Sequence, residues 1–273
     1  MTYGIFTTFI TNIYDEHHKK SISKTQFNYV ENWVLSFQNL TKEKKGNYIG
    51  GIITNTEYLP WPQIKTLNYS EAIKKYEEYS IYDFRFLLYK KVILEHPNID
   101  FFFFTDGRDV TIQNFSEKEI INFEKTEKEK NNEFNLQNIL FVNEESGIKW
   151  DYKIILDSDK NRDNDWIQTM ANHTYYHNEF DICQNEKTLN CGIIGGHRSV
   201  LLEFLNYFEK EFFEINPTKK YFENKKTYTY CIDMALLNKI VYEKFKHNFY
   251  SGFPLQNVYW ANDKNPFSWF HHK

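Results

Sequence analysis

Four consecutive phenylalanines followed by two acidic residues constrain this chain more than any other feature. Residues 101–110 read FFFFTDGRDV. An uninterrupted apolar run of this kind predicts a strand covered on both faces, as in the middle of a mainly parallel sheet. In such sheets, ligands bind beyond the carboxyl ends of the strands. Asp106 and Asp109 therefore occupy the place where a binding site is expected.

Residues 106–109, DGRD, are called the acidic turn. Two chemical interpretations fit its carboxylates. Oxygen donors three positions apart on a tight turn could hold Mg²⁺ or Mn²⁺. Alternatively, both carboxylates hydrogen-bond only to nearby backbone amides, as in many Asp-Gly turns. Arg108 could pair with a carboxylate or reach a diphosphate. We expect metal binding at Asp106 and Asp109, and favour this turn over Asp157 and Asp159, which end a shorter apolar run and precede a strongly polar stretch.

The order of predicted elements indicates a doubly wound α/β sheet. Strands predicted at 3–10, 48–53 and 101–104 alternate with helices predicted at 25–40 and 83–95. Further strands are expected at 139–142 and 188–196, and further helices at 199–213 and 232–245. Neither an internal repeat nor a Pro/Gly/Ser-rich seam divides the 273 residues, so a single domain is expected.

Composition and charge narrow the functional classes. The net charge of -4 argues against a surface that attracts nucleic acid. Three cysteines without zinc-type spacing indicate reduced thiols and a cytoplasmic protein. The first residues lack the positive region of a signal peptide, and no membrane-spanning segment is expected. The excess of Lys, Asn, Ile, Phe and Tyr suggests an AT-rich genome, such as that of a large virus, a protist or some bacteria.

Two later segments combine polar residues with glycines or with a helix start. Residues 189–197 read LNCGIIGGH, and glycines there would let a ligand approach the backbone next to a helix N-terminus. Tight packing at a strand-to-helix turn is the alternative. Residues 231–238 read CIDMALLN and open a helix with Asp233, where a carboxylate also complements the helix dipole.

Taken in order, these segments resemble the nucleotide-sugar glycosyltransferases of the GT-A fold. TDGRDV, FVNEE, LNCGIIGG, DMALLN and a terminal His-Lys resemble the DxD, NAG and DQ(x)nN elements of that family and its C-terminal residues. The resemblance covers nearly the whole chain. It implies a Rossmann-like, mainly parallel sheet, with a donor-binding part at about 1–115 and an acceptor and catalytic part at about 136–273.

The resemblance also implies an activity. A hexosyl or pentosyl group would move from a UDP- or GDP-sugar to a hydroxyl of a glycan, a protein or a small molecule. Mn²⁺ or Mg²⁺, held by the acidic turn, would bridge the diphosphate. The order of the segments leans towards retention of configuration. The acidic turn departs from the family pattern because it is DxxD, and Asp109 is preferred as the direct ligand because it precedes Val110.

Roles for individual residues follow from the same resemblance. The metal ligands would be Asp106, Asp109 and His271. Asp233 and Asn238 would act at the reaction centre, although Met234 replaces the Gln of the family pattern. The donor would be bound by Phe6, Thr7, Thr8, Arg85, Asp106, Arg108, Asn190, Gly192 and Lys273.

Two other functional classes compete with this interpretation. A non-catalytic carbohydrate-binding or structural protein would use the 19% aromatic residues as stacking platforms. A nucleotidylyltransferase would have a similar α/β architecture, but the first strand lacks the glycine-rich, basic phosphate loop that such enzymes use. The sequence says nothing about self-association.

Overall fold

In the described part of the chain, seven strands form one sheet with helices on both faces. The computed structural model describes residues 1–15, 20–44, 46–149, 183, 186–220, 231–256 and 266–272. Asp157, Asp159 and Lys273 lie outside the described residues.

The bounds of the elements are as follows. The strands are β1 (Thr2–Phe9), β2 (Tyr14–Asp15), β3 (Lys20–Ser21), β4 (Asn47–Thr54), β5 (Lys65–Asn68), β6 (Phe101–Thr105), β7 (Val110–Ile112), β8 (Leu140–Lys149), β9 (Lys187–His197), β10 (Phe249–Tyr250) and β11 (Phe270–His272). The helices are α1 (Asn28–Glu43), α2 (Ser70–Lys75), α3 (Ile81–Glu95), α4 (Glu117–Lys130), α5 (Arg198–Ile215) and α6 (Asp233–Lys244), with a 3₁₀ turn at Leu136–Asn138. Among the described residues, no helix is long and apolar enough to cross a bilayer.

The sheet is mainly parallel, with a single reversal. Its order is β10-β8-β9-β6-β1-β4-β5. Strand β9 runs antiparallel to both β6 and β8, whereas the other neighbouring pairs are parallel. The prediction of an α/β domain built on a mainly parallel sheet flanked by helices is therefore confirmed.

The phenylalanines of β6 explain why the sheet is covered on both faces. Phe102 and Phe104 point into a core formed with α3, α5 and α6. Phe101 and Phe103 point into a second core formed with α1, α4, β7 and β11. Full burial of each such side chain contributes roughly 1.5–3 kcal/mol. Rings from both faces therefore anchor β6 up to the residue before the acidic turn.

The glycine pair of β9 lies beside the middle of β6, away from the acidic turn. Gly195 pairs with Phe103 and Gly196 with Phe102, because β9 runs antiparallel to β6. A Cβ on Gly195 would lie 2.2 Å from Cδ1 of Phe103. The expectation that this pair admits a ligand is therefore wrong, and close packing against a core ring accounts for it.

The carboxyl ends of β1, β4, β6 and β8 meet at one edge of the sheet, because these strands run in the same direction. The reversal of β9 brings its first half, which includes Asn190 and Gly192, to this same edge. Strand β11 pairs with β7 directly after the acidic turn. The edge thus gathers residues from both halves of the sequence.

Candidate functional site

An open cleft lies beside the carboxyl ends of β1 and β6. It contains about 390 Å³ of space that no atom fills. Apolar and aromatic side chains share its wall with one ion pair, a mixture that suits a ligand with a flat ring and a charged part. The wall consists of Thr8, Ile10, Ile22, Tyr29, Ile81, Tyr82, Arg85, Asp106 and Gly107.

Arg85 connects three elements at the end of this cleft. It projects from α3, is only 5% exposed, and donates to Oδ1 of Asp106. Its Nη2 lies 3.2 Å from Oδ2 of Asp233 and 3.4 Å from the carbonyl oxygen of Cys191. A buried guanidinium is tolerated only with such partners. Arg85 therefore ties α3, the acidic turn and the start of α6 together.

Asp83, two residues before Arg85 on α3, supports the start of α6. It is fully buried on α3, and its Oδ1 accepts a hydrogen bond from the backbone N–H of Ile232 at 2.8 Å. Ile232 precedes α6 and provides no side-chain cap in the described structure. Burial and the nearby carboxylate of Asp233 raise the pKa of Asp83 well above its usual value. Sequence reasoning missed this residue, because its role depends on a contact between two helices.

Asp233 is a buried carboxyl group at the first residue of α6. Burial raises its pKa, whereas the guanidinium of Arg85 acts in the opposite direction. The neighbouring thiol of Cys191 also acts to lower the pKa of Asp233. Buried carboxyl groups with shifted pKa values are frequent in active sites, where they transfer protons or position charged groups.

The two carboxylates of the acidic turn are in different environments. The Asp106 side chain is 29% exposed and held by Arg85, while the backbone N–H of Asp106 donates to Gly192 at 2.9 Å. The Asp109 side chain is 47% exposed, and its Oδ1 lies 3.8 Å from Nε of Arg108. Asp106 is therefore held by Arg85, whereas nearly half of the Asp109 side chain is exposed.

This donor set fits a hard divalent cation that keeps few protein ligands. Within the described part of the chain, no group of three or more His, Cys, Asp or Glu residues is arranged to hold a metal ion. Mg²⁺ is commonly bound by one or two carboxylates, with phosphates of the substrate and water completing its shell. Asp109 and the second oxygen of Asp106 are suited to that mode of binding.

A bulge in β9 brings Asn190 and Gly192 next to the acidic turn. Val142 pairs with Ile194, but the next residue of β8, Asn143, pairs with Asn190. Residues 191–193 thus have no partner on β8 in the described ladder. Oδ1 of Asn190 accepts from the backbone N–H of Gly192 at 2.6 Å, which holds the bulge. Bulges of this kind redirect side chains beside binding sites.

The two histidines of β11 face opposite sides. His272 lies opposite Val110 and is 8% exposed, with its Nδ1 3.1 Å from Nδ2 of Asn143. A Cβ on Gly192 would lie 2.5 Å from Cε1 of His272, so this ring packs directly on the bulge. His271 lies opposite Thr111 and is half-buried on the other side of the strand. The imidazole packed against Gly192 thus belongs to His272, which sequence reasoning missed.

The three predicted residues of β1 are placed differently from one another. Phe6 is buried and stacks with Phe102 and Phe104, so its side chain is part of the core and does not reach the cleft. Thr7 is also buried and donates to the carbonyl oxygen of Thr105 at 2.8 Å. Thr8 lines the cleft.

Asn238 anchors β9 to α6 through its side-chain amide. Its Oδ1 accepts from the backbone N–H of Leu189 at 2.8 Å, and its Nδ2 donates to the carbonyl oxygens of Leu189 and Met234. The residue is fully buried. These contacts make Asn238 a residue that positions the first half of β9 behind the bulge.

Comparison with solved structures finds similar folds. No protein-family model matches the chain, and no curated protein sequence matches it either. The fold is similar to a solved structure titled "Crystal structure of a glycosyltransferase involved in the glycosylation of the major capsid of PBCV-1". The match covers 100% of this chain and 92% of that chain, with 12% sequence identity and a TM-score of 0.45. This likeness is too weak to indicate a function, which depends on the residues of the site.

Proposed function

We propose that the protein is a metal-dependent glycosyltransferase that uses a UDP- or GDP-sugar as donor. The observation that carries this proposal is the convergence of Arg85, Asp106, Asn190, Gly192 and Asp233 at one edge of the sheet. These residues come from four separate segments, and a cleft with an aromatic wall lies beside them. Three of those segments, TDGRDV, LNCGIIGG and DMALLN, are among those that resemble the family.

The cleft and the acidic turn provide the two halves of a donor site. Tyr29 and the apolar side chains of the wall are suited to a nucleoside base. Asp109 and Asp106 would hold Mn²⁺ or Mg²⁺ at the diphosphate, and a bound cation would supply positive charge to the leaving group. Arg108, exposed at the mouth of the turn, can reach the same phosphates.

The transfer reaction breaks the bond between the anomeric carbon and the diphosphate oxygen. The acceptor oxygen forms the new bond, and its proton passes to the departing diphosphate, on which negative charge collects. Asn190 and the backbone of Gly192 would line the space for the sugar. A separate general base would have to reach the acceptor proton, but Asp233 is buried and paired with Arg85. This arrangement favours a positioning role for Asp233 and a retaining reaction.

Substitution of Asp109 by Asn provides the test. One unit-charge pair at 4 Å contributes roughly 4 kcal/mol at an effective dielectric near 20, so we expect kcat/KM to fall about a thousandfold. The measurement is nucleoside diphosphate released from a panel of UDP- and GDP-sugars with and without Mn²⁺. Glu133→Gln, an exposed change outside the site, is the matched control and should keep full activity.

Three outcomes would contradict the proposal. Full activity of Asp109→Asn would show that this carboxylate does not serve the reaction. Thermal stabilisation by glycans, without any effect of nucleotides and Mn²⁺, would indicate a carbohydrate-binding protein. Release of pyrophosphate from a nucleoside triphosphate, in place of nucleoside diphosphate from a sugar donor, would indicate a nucleotidylyltransferase.

A further inference from the structure

Contacts with helix α1 support the acidic turn from outside. Within the turn, the backbone N–H of Val110 donates to the carbonyl oxygen of Asp106 at 3.3 Å, which is longer than a typical backbone hydrogen bond. Strand β7, which follows the turn, belongs to a two-stranded sheet with β11. A turn closed in this way depends on neighbouring elements for its position.

Trp33 of α1 holds the residue that leads into the turn. Its Nε1 donates to Oγ1 of Thr105 at 2.8 Å, and its ring stacks on that of Phe37 within the helix. Both Trp33 and Thr105 are buried. The carbonyl oxygen of Thr105 accepts from Oγ1 of Thr7 at 2.8 Å. Thr105, directly before Asp106, is thus held by α1 and by β1.

Val30 and Ser36 contact the turn itself and the strand that follows it. A Cβ on Gly107 would lie 2.6 Å from Cγ1 of Val30, so the backbone of the turn lies directly on α1. The backbone N–H of Ile112 donates to Oγ of Ser36 at 3.0 Å, and this hydroxyl donates to the carbonyl oxygen of Trp33 at 2.7 Å. Residues three positions apart lie side by side on a helix. One ridge of α1 therefore meets the chain before, between and after the two carboxylates.

The same helix also contributes to the aromatic wall of the cleft. Tyr29, the second residue of α1, lines the cleft, and its ring lies 6.3 Å from that of the buried Phe9. Seven residues separate Tyr29 from Ser36, which is roughly 10 Å along a helix axis. Because a hydrogen-bonded helix has a fixed rise, α1 sets the spacing between the aromatic wall and the acidic turn.

We propose that α1 fixes the position of the acidic turn relative to the aromatic wall, and that Trp33 and Ser36 are positioning residues for the diphosphate of a nucleoside diphosphate. This inference rests on the proposed function. Both residues act through the turn, so their loss weakens binding of the diphosphate and leaves binding of the nucleoside as it was.

The test uses Ser36→Ala, which removes the acceptor for the N–H of Ile112 and keeps a good helix former at this position. Loss of one hydrogen bond lowers the population of the correctly placed turn, so the dissociation constant should rise roughly three- to tenfold. Calorimetry with UDP or GDP in the presence of Mn²⁺ measures this change. The affinity for uridine or guanosine alone, measured by NMR titration, should stay the same.

Thr41→Ala is the matched control in the same helix. The hydroxyl of Thr41 donates to the carbonyl oxygen of Gln38, three residues earlier, as the hydroxyl of Ser36 does to that of Trp33. Thr41 is exposed in the last turn of α1. This variant should keep the wild-type affinity for both nucleoside and nucleoside diphosphate.

Two substitutions of Thr105 test the contact made by Trp33. Thr105→Val removes the acceptor for Nε1 of Trp33 at nearly the same volume, whereas Thr105→Ser keeps a hydroxyl there. Thr105→Ser should therefore bind UDP or GDP with Mn²⁺ more tightly than Thr105→Val. Equal affinities of the two variants would contradict the role of this hydrogen bond.

Hydrogen exchange in the ligand-free protein separates this inference from the proposed function. The amides of residues 106–112 should exchange faster in Ser36→Ala than in wild type or Thr41→Ala. Unchanged exchange overturns the inference, whatever the activity. Unchanged affinity for the nucleoside diphosphate also overturns it, as does an equal loss of affinity for the nucleoside. If wild type binds no nucleotide, the proposed function and the positioning role both fail, and exchange alone decides whether α1 holds the turn.

Discussion

The acidic turn lies between two flanks that are stabilised in different ways. The charged flank consists of Asp83, Arg85 and Asp233 with Asp106, and is built from helices α3 and α6. The neutral flank consists of Asn143, Asn190, Gly192 and His272, and is built from strands β8, β9 and β11. Loss of a charge on the first flank leaves another buried charge uncompensated. Changes on the second flank alter shape and hydrogen-bond direction, which makes it the side where ligand orientation can be tuned.

The largest expected effect comes from breaking the charged flank with Arg85→Met. This change leaves the carboxylates of Asp106 and Asp233 without the guanidinium that pairs with them. Removing one partner of a buried ion pair costs about 3–5 kcal/mol, so we expect a loss of this size in the free energy of unfolding, measured in urea.

Two further variants calibrate that result. Arg108→Met removes an exposed pair at 3.8 Å from Asp109 and should change stability by roughly 0.5 kcal/mol or less. Adding Asp106→Asn and Asp233→Asn to Arg85→Met should recover part of the loss, since the uncompensated charges are then gone. Equal effects of the two arginine changes would remove the distinction between the flanks.

A smaller effect is expected when the neutral flank is overpacked by Gly192→Ala. The new Cβ would lie 2.5 Å from Cε1 of His272, so the ring must shift. Overpacking of this kind costs about 1–3 kcal/mol, and nucleotide binding measured by calorimetry should weaken as well.

Gly195→Ala on the same strand is the matched control. Its Cβ would meet the Phe103 ring at 2.2 Å, beside the middle of β6 and away from the acidic turn. It should lower stability to a similar extent and leave nucleotide affinity unchanged. Weakened binding in both variants would mean that the neutral flank has no specific part in recognition.

The smallest expected effect is a pH dependence of the free energy of unfolding, which tests the protonation of Asp83 in the charged flank. The pKa of Asp83 is raised by burial and by Asp233, so its stabilising contribution is complete below the unfolded value of about 3.8 and is lost as pH rises through the folded pKa. Asp83→Asn can still accept from the N–H of Ile232 and does not titrate. Urea denaturation measured from below about pH 4 upwards should show a decline in wild-type stability with rising pH that is shallower in the variant. Parallel curves would contradict the assigned pKa direction.

Much of the central sheet could be predicted from local patterns in the sequence. The apolar run of β6 and the helical spacing in α3 and α5 depend on neighbours a few residues apart, and these elements occur close to their predicted bounds. The direction of β9 could not be predicted, because a buried strand has the same composition in either direction. That reversal moved Gly195 and Gly196 away from the site and kept Asn190 and Gly192 beside it.

The site was predictable where chemistry alone marks a residue. Asp106 was predicted because it follows an apolar strand and Asp233 because it opens a helix, whereas Arg85 was expected only from the resemblance to the family. The structure brings the three into contact. Which of the two adjacent histidines faces the sheet could not be predicted. It depends on the pairing of β11 with β7, two strands that are far apart in sequence. Asp83 was missed for the same reason, because its hydrogen-bond partner is the backbone N–H of Ile232, far away in sequence at the start of α6.

The pairing of β7 with β11 also affects how the protein is made. Val110 leaves the ribosome long before His272, its partner across the two strands. During much of translation, the nascent chain therefore contains the acidic turn and the cleft wall but not β11, the strand that pairs with β7. Early folding has to be driven by the phenylalanine core, and prematurely terminated chains should accumulate partly folded without acquiring ligand affinity.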